Sequence, residues 1–141
     1  MLSRAIEIAA KAHKGQVDKG GKPYIFHPLR VLLHFAEDEE NVQICAVLHD
    51  VVEDTPVTLN DLCNEGFSGE VVSALDCLTR RAGESYDDFI DRIIINPIAR
   101  KVKLADLNDN MDLTRISAPT ARDLERVEKY KLAINRLISV R

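Results

Sequence analysis

Apolar positions recur with a helical period along nearly the whole 141-residue chain. Leu2, Ala5, Ile6, Ala9 and Ala12 mark a first helix within the first fourteen residues. Gly15 and the run Asp18-Lys19-Gly20-Gly21-Lys22-Pro23 predict a loop with two adjacent flexible positions. Pro28 suits the first turn of a second helix carrying Leu29, Val31, Leu32, Leu33 and Phe35. A third helix is predicted from Asn41 to Val52, ended by Thr55-Pro56, and a fourth opens at Thr58 with Asp61 as its reciprocal cap. Gly66 closes that helix, and Ser68 caps the next, through Val71, Val72, Leu75 and Leu78.

Glu84 to Ile95 is predicted as a further helix, with Tyr86, Phe89, Ile90 and Ile93 on one side. Asn96-Pro97 reads as a cap followed by proline at the first helical position, opening a helix with Ile98, Val102 and Ala105. Thr120 and Asp123 cap the last helix, whose apolar positions are Leu124, Val127, Leu132, Ile134 and Leu137. The best short β-branched run, Arg92-Ile93-Ile94-Ile95, is only four residues between helical neighbours and makes a weak strand candidate. The pattern predicts an all-α single domain over residues 1–141, a bundle of about seven or eight helices.

Composition supports a globular core: 45% of residues are hydrophobic and 30% charged. A domain of this length buries roughly two thirds of its unfolded surface, so disulfides are not needed to hold it. Cys45, Cys63 and Cys77 are widely spaced, lack a CxxC arrangement and stand among apolar residues, so they read as buried thiols in a reducing compartment. The opening residues lack a continuous apolar signal region and no run approaches a membrane span. A cytoplasmic protein with no membrane partner is expected. The cations form no continuous stripe interleaved with aromatics, and Trp is absent, so a nucleic-acid partner is not expected either.

Charge is distributed unevenly. Residues 31–79 hold eleven acids and no Lys or Arg, residues 1–30 hold six basic groups and two acids, and residues 80–141 hold thirteen and ten. The central acids need counter-charge from the flanks, from a bound cation, or from both. A solvated face explains Glu37 to Glu40. It explains Asp50, Glu53 and Asp54 poorly, because they sit among Val47, Leu48, Val51 and Val52.

On a continuous helix His49 and Glu53, and likewise Asp50 and Asp54, stand four apart and share a broad face. Carboxylates converging beside an imidazole repel one another, and a divalent cation relieves this directly. Mixed imidazole and carboxylate ligands suit Mn²⁺, Fe²⁺, Co²⁺, Zn²⁺ or Ni²⁺. A second cluster, Lys101 to Asn110, places Asp106 beside Leu104, Ala105 and Leu107, and Asp106 and Asn110 stand four apart. The competing reading there is helix-end capping by Asn108, Asp109 and Asn110. His27 is a third candidate that reads equally well as a helix-capping or core histidine, while His13 reads as structural and His34 as partly buried or salt-bridged.

Four stretches, His13-Lys14-Gly15-Gln16, Gly21 to Leu29, Leu48 to Thr55 and Val102 to Asn110, together resemble the HD-domain metal-dependent phosphohydrolases. Closest is the alarmone (ppGpp) hydrolase domain of the RelA/SpoT family and its small stand-alone relatives, over roughly residues 2 to 116. The resemblance implies an HD-type helical bundle in which His27, His49, Asp50 and Asp106 hold one divalent metal, usually Mn²⁺. It implies that Glu53 and Asp54 orient or activate the attacking water, and that Lys19, Tyr24, Lys103 and Asn110 approach the nucleotide. It further implies hydrolysis of the 3′-pyrophosphate of guanosine tetra- or pentaphosphate, giving GDP or GTP and pyrophosphate, without the synthetase domain of the long relatives.

Asp18 stands where the family often has an arginine that helps hold the guanine end. Another nucleotide substrate therefore remains an alternative, as does a non-catalytic nucleotide-binding module, against which the Glu53-Asp54 pair argues. A purely structural helical domain explains the apolar-flanked acids least well.

Overall fold

Helix α3 (Glu40–Leu48) forms the centre of the molecule, because Val42, Ile44, Cys45, Ala46, Val47 and Leu48 leave it apolar on every side and all are buried. In the computed structural model, which describes residues 1–139, α1 (Leu2–Ala12) and α2 (Phe26–His34) pack against it from the N-terminal side. After it come the single turn α4 (Val51–Asp54), then α5 (Leu59–Asn64), α6 (Gly69–Leu78) and α7 (Tyr86–Ile95). The chain continues through α8 (Pro97–Asn110), a 3-10 turn (Leu113–Arg115) and α9 (Ala121–Ile138). No β-sheet forms among the described residues; one isolated bridge joins Val17 and Pro23. The expected all-helical bundle is thus observed.

Local chemistry fixes the helix starts. Thr58 with Asp61, and Thr120 with Asp123, form reciprocal capping boxes. The side chains of Ser68 and Asn96 accept from the backbone N–H groups of Val71 and Ala99, and Pro97 occupies the first turn of α8. The helix expected from Glu84 instead begins at Tyr86, capped by Ser85. Glu84 is drawn away by Arg92, whose Nε donates to it at 2.6 Å and whose Nη2 also reaches the Thr79 carbonyl at 2.9 Å.

Other expectations need correction. The third helix does not run unbroken to Val52: it stops at Leu48, and His49-Asp50 form a turn before α4. Cys45 is buried, but Cys77 is only half-buried and Cys63 is exposed on the outer side of α5. His34 is exposed and stacks edge-on against Phe35, and it makes no ion pair among the described residues. Leu33, Leu124 and Leu132 also face solvent; of the apolar positions expected on α9, Leu137 is buried, together with Ala133.

The basic flanks do reach the acidic middle. Arg4 grips Glu65 with two bonds of 2.8 and 2.7 Å, and Lys101 meets Asp38 at 3.0 Å. Helix α8 packs on α2, α3, α6, α7 and α9. The mutual contact of α2, α3 and α8 brings together polar residues that are far apart in sequence.

Candidate metal centre and cleft

His27 lies in the first turn of α2, His49 and Asp50 in the break after α3, and Asp106 in the last half of α8. His27, His49 and Asp106 are buried within the core where these helices meet, and Asp50 is half-buried. Successive residues of a regular helix point in different directions. The break lets His49 Nε2 and Asp50 Oδ2 approach to 2.9 Å. His27 Nε2 is 2.8 Å from Asp106 Oδ1, His49 Nε2 is 3.2 Å from the same oxygen, and the two Nε2 atoms are 3.2 Å apart. One donor atom from each of the four residues lies within 4.8 Å of all the others.

The outward nitrogens settle what the inward ones present. His49 Nδ1 is 2.6 Å from the Ala46 carbonyl, which only accepts, so that nitrogen carries the proton. His27 Nδ1 is 2.6 Å from Asp109 Oδ2, a carboxylate itself held by two bonds from Arg30 of 2.8 and 3.0 Å. Each neutral imidazole therefore turns a lone pair on Nε2 inward, towards two carboxylates. Four electron-rich atoms converge with no hydrogen of their own to share, and a divalent cation fits that donor set.

Without a cation, protons take its place electrostatically. Burial alone would lower the His49 pKa, but Asp50 and Asp106 override it and hold the imidazole well above the usual histidine range. His27 is likewise raised against its burial, by Asp106 and Asp109. Burial works to raise Asp106, yet Lys103 and His49 hold it well below the carboxylate range. Lys103 Nζ lies 2.8 Å from Asp106 Oδ2, Asn110 Nδ2 donates to Asp106 Oδ1 at 3.0 Å, and the Tyr24 hydroxyl donates to Asp50.

Glu53 and Asp54 are exposed at the rim, with carboxylate oxygens within 4.8 Å of each other and of Asp50. Glu53 accepts the Arg80 backbone N–H at 2.8 Å. Partial burial, followed by the charges of Asp50 and Glu53, pushes Asp54 up to about 6. The structure thus brings nine of the ten residues singled out from the sequence around one acidic centre. Lys19 stands farther out, on the loop before α2.

Two hollows flank the centre. One, of about 380 Å³, includes Lys19, Gly20, Arg115 and Arg126 in its lining. The other, of about 230 Å³, includes Arg80, Tyr86, Lys103 and Lys129. Tyr24, Asn110 and Tyr130 line both, so the two form one cleft across the acidic centre. Asp18 does not present a simple replacement for a cation there: its Oδ1 accepts the backbone N–H groups of Gly20 and Lys22, each at 2.9 Å, and folds the loop.

Local sequence does not reveal Asp109, which reads as a helix-end cap, nor Arg30, Arg115 and the α9 side of the cleft. Asp109 instead holds His27 from 82 positions away, and no local pattern carries that pairing.

A family model described as "HD domain" matches residues 5–85. A "Probable GTP pyrophosphokinase" of Mycobacterium leprae is 34% identical over 130 residues, covering 84% of this chain and 16% of that protein. The "Bifunctional (p)ppGpp synthase/hydrolase SpoT" of Escherichia coli is 37% identical over 125 residues, covering 78% of this chain and 17% of its own length. The chain therefore spans about one sixth of these curated relatives. A solved structure described as "A metazoan ortholog of SpoT hydrolyzes ppGpp and plays a role in starvation responses" superposes with a TM-score of 0.79 at 25% identity, covering 98% of this chain and 83% of that one.

Proposed function

The chain belongs to the HD-domain family of metal-dependent phosphohydrolases and is related to the RelA/SpoT group; from that premise we propose that it removes the 3′-pyrophosphate of guanosine tetra- or pentaphosphate. The products are GDP or GTP and pyrophosphate. The observation that carries this reading is the convergence of His27, His49, Asp50 and Asp106 from α2, the α3–α4 break and α8. In this reading those four side chains hold one divalent metal, Mn²⁺ by preference, and residues 1–141 act as one phosphohydrolase domain. When bound, the cation supplies Lewis acidity that polarises a phosphoryl oxygen and lowers the pKa of a water.

The chain's own groups do the rest. Asp54, with its raised pKa, and Glu53, fixed by the Arg80 backbone, orient the attacking water and take its proton. Water oxygen bonds to the phosphorus next to the ribose, the bond from that phosphorus to the 3′-oxygen breaks, and the 3′-oxygen is protonated. Tyr24 and Asn110, hydrogen-bonded to Asp50 and Asp106, face the cleft where the nucleotide enters. Lys19 lines the larger hollow and Lys103 the smaller, and both place positive charge against phosphate oxygens.

The acids Asp18 and Asp112 in the larger hollow favour a second reading of the same chemistry, with a different phosphorylated nucleoside as substrate. A product assay in Mn²⁺ across guanosine, adenosine and deoxynucleotide substrates separates the two. Release of intact pyrophosphate from the guanosine 3′-diphosphate supports the first reading, and inertness towards it with turnover of another nucleotide supports the second.

A further inference from the structure

We propose that Lys129, Arg80 and Tyr86 form an anion subsite in the smaller hollow that takes the distal phosphoryl group of a diphosphate and so selects diphosphates over monophosphates. The inference rests on the reading of the cleft as a phosphohydrolase site and adds side chains that the reading above does not use.

Helices α7 and α9 and the α6–α7 connection enclose this end of the cleft. Lys129 Nζ lies 3.8 Å from the centre of the Tyr86 ring, and the Arg80 guanidinium lies 5.8 Å from the same ring. Lys103 Nζ is 5.3 Å from the centre of the neighbouring Phe89 ring. Lys103 is already ion-paired with Asp106 at 2.8 Å. The Arg80 side chain bonds only the Glu84 carbonyl among the described residues, and Lys129 meets no carboxylate there. Two cations thus crowd one aromatic ring with no carboxylate paired to either side chain among the described residues.

Burial, then the charges of Arg80 and Lys103, lower the Lys129 pKa below the ordinary lysine value. The Tyr86 hydroxyl is buried and has no hydrogen-bond partner among the described residues, which is costly for a polar group. An anion in the hollow would answer all three conditions at once: it pairs both cations and offers an acceptor to the hydroxyl. Asp50, Glu53 and Asp106 also line this hollow, so an anion here lies next to the acidic centre. With the nucleoside in the larger hollow, the group beyond the scissile bond extends into the smaller one.

Isothermal titration of the purified full chain with inorganic pyrophosphate and with orthophosphate tests this without depending on turnover. Pyrophosphate is expected to bind about tenfold tighter than orthophosphate, and Lys129→Ala and Arg80→Ala are each expected to weaken pyrophosphate about tenfold. Tyr86→Phe is expected to weaken it by a smaller factor, and Lys131→Ala, two residues further along α9, to leave it unchanged. Absence of pyrophosphate binding, or affinity unchanged in Lys129→Ala and Arg80→Ala, overturns the subsite. Failure of the guanosine 3′-diphosphate assay with pyrophosphate binding still sensitive to Lys129 removes the substrate reading and retains the subsite.

Discussion

His27 Nδ1 and Asp109 Oδ2 meet at 2.6 Å across 82 positions of sequence, and Asp109 is braced by Arg30 at 2.8 Å and by Arg115 at 3.4 Å. A carboxylate behind a ligating histidine fixes its tautomer and its ring orientation. Asp109→Ala is expected to weaken Mn²⁺ binding by about 10–100-fold while leaving the helical content intact. Mn²⁺ titration followed by circular dichroism of the same sample checks both parts. Unchanged affinity would show that Asp109 serves only to anchor the start of α2 to the end of α8.

Metal uptake should release protons. In the metal-free chain His27 and His49 have pKa values above the unperturbed histidine value. Their stabilising contribution is fully present below about pH 6.5 and is lost as pH rises through the raised folded values. A cation requires both imidazoles to be neutral, so its affinity should rise with pH across that same interval. Calorimetry of Mn²⁺ binding in buffers of different ionisation enthalpy should show net proton release near neutral pH, shrinking as pH is raised. Proton uptake would contradict the assignment.

Gly20 touches the 3-10 turn so closely that an added Cβ would lie 2.4 Å from the Arg115 carbonyl oxygen. Gly20→Ala must displace either the loop bearing Lys19 or the turn bearing Arg115, and both line the larger hollow. The expected result is a KM raised roughly fivefold, equivalent to about 1 kcal/mol, with kcat little changed. Steady-state kinetics on the substrate identified by the product assay provide the check.

Leu48 is fully buried at the end of α3, immediately before the break that aims His49 and Asp50. Leu48→Ala should cost about 2–5 kcal/mol by urea unfolding, whereas Leu132→Ala on the exposed side of α9 should stay within about 0.5 kcal/mol. Comparable losses in both would mean that the outer face of α9 is covered in solution.

Much of this architecture is legible in the chain because it is locally encoded. The caps at Thr58, Ser68, Asn96 and Thr120 act over three residues, and the structure has each where the sequence predicts it. The break at His49-Asp50 was not legible, since helix propensity and periodicity run straight through it. There the packing of α2 and α8 wins over local preference. Asp106 could be flagged as an acid among apolar neighbours, and it is indeed buried. Asp109, four residues from Ala105 on the same helix, looked like a cap because its true partners, His27 and Arg30, come from another part of the chain. The apolar residues of α9 misled for a simpler reason: composition shows that Leu124 and Leu132 are apolar, but only packing decides which side of the helix is covered.

The central claim is that four side chains from three places in the fold share one cation. Elemental analysis after equilibrium dialysis against Mn²⁺, on the wild-type chain and on Asp106→Ala, tests it most directly. One Mn²⁺ per chain is expected in the wild type and essentially none in the variant, with both samples folded. A variant that keeps its Mn²⁺, or a folded wild type that takes up none, would contradict the account.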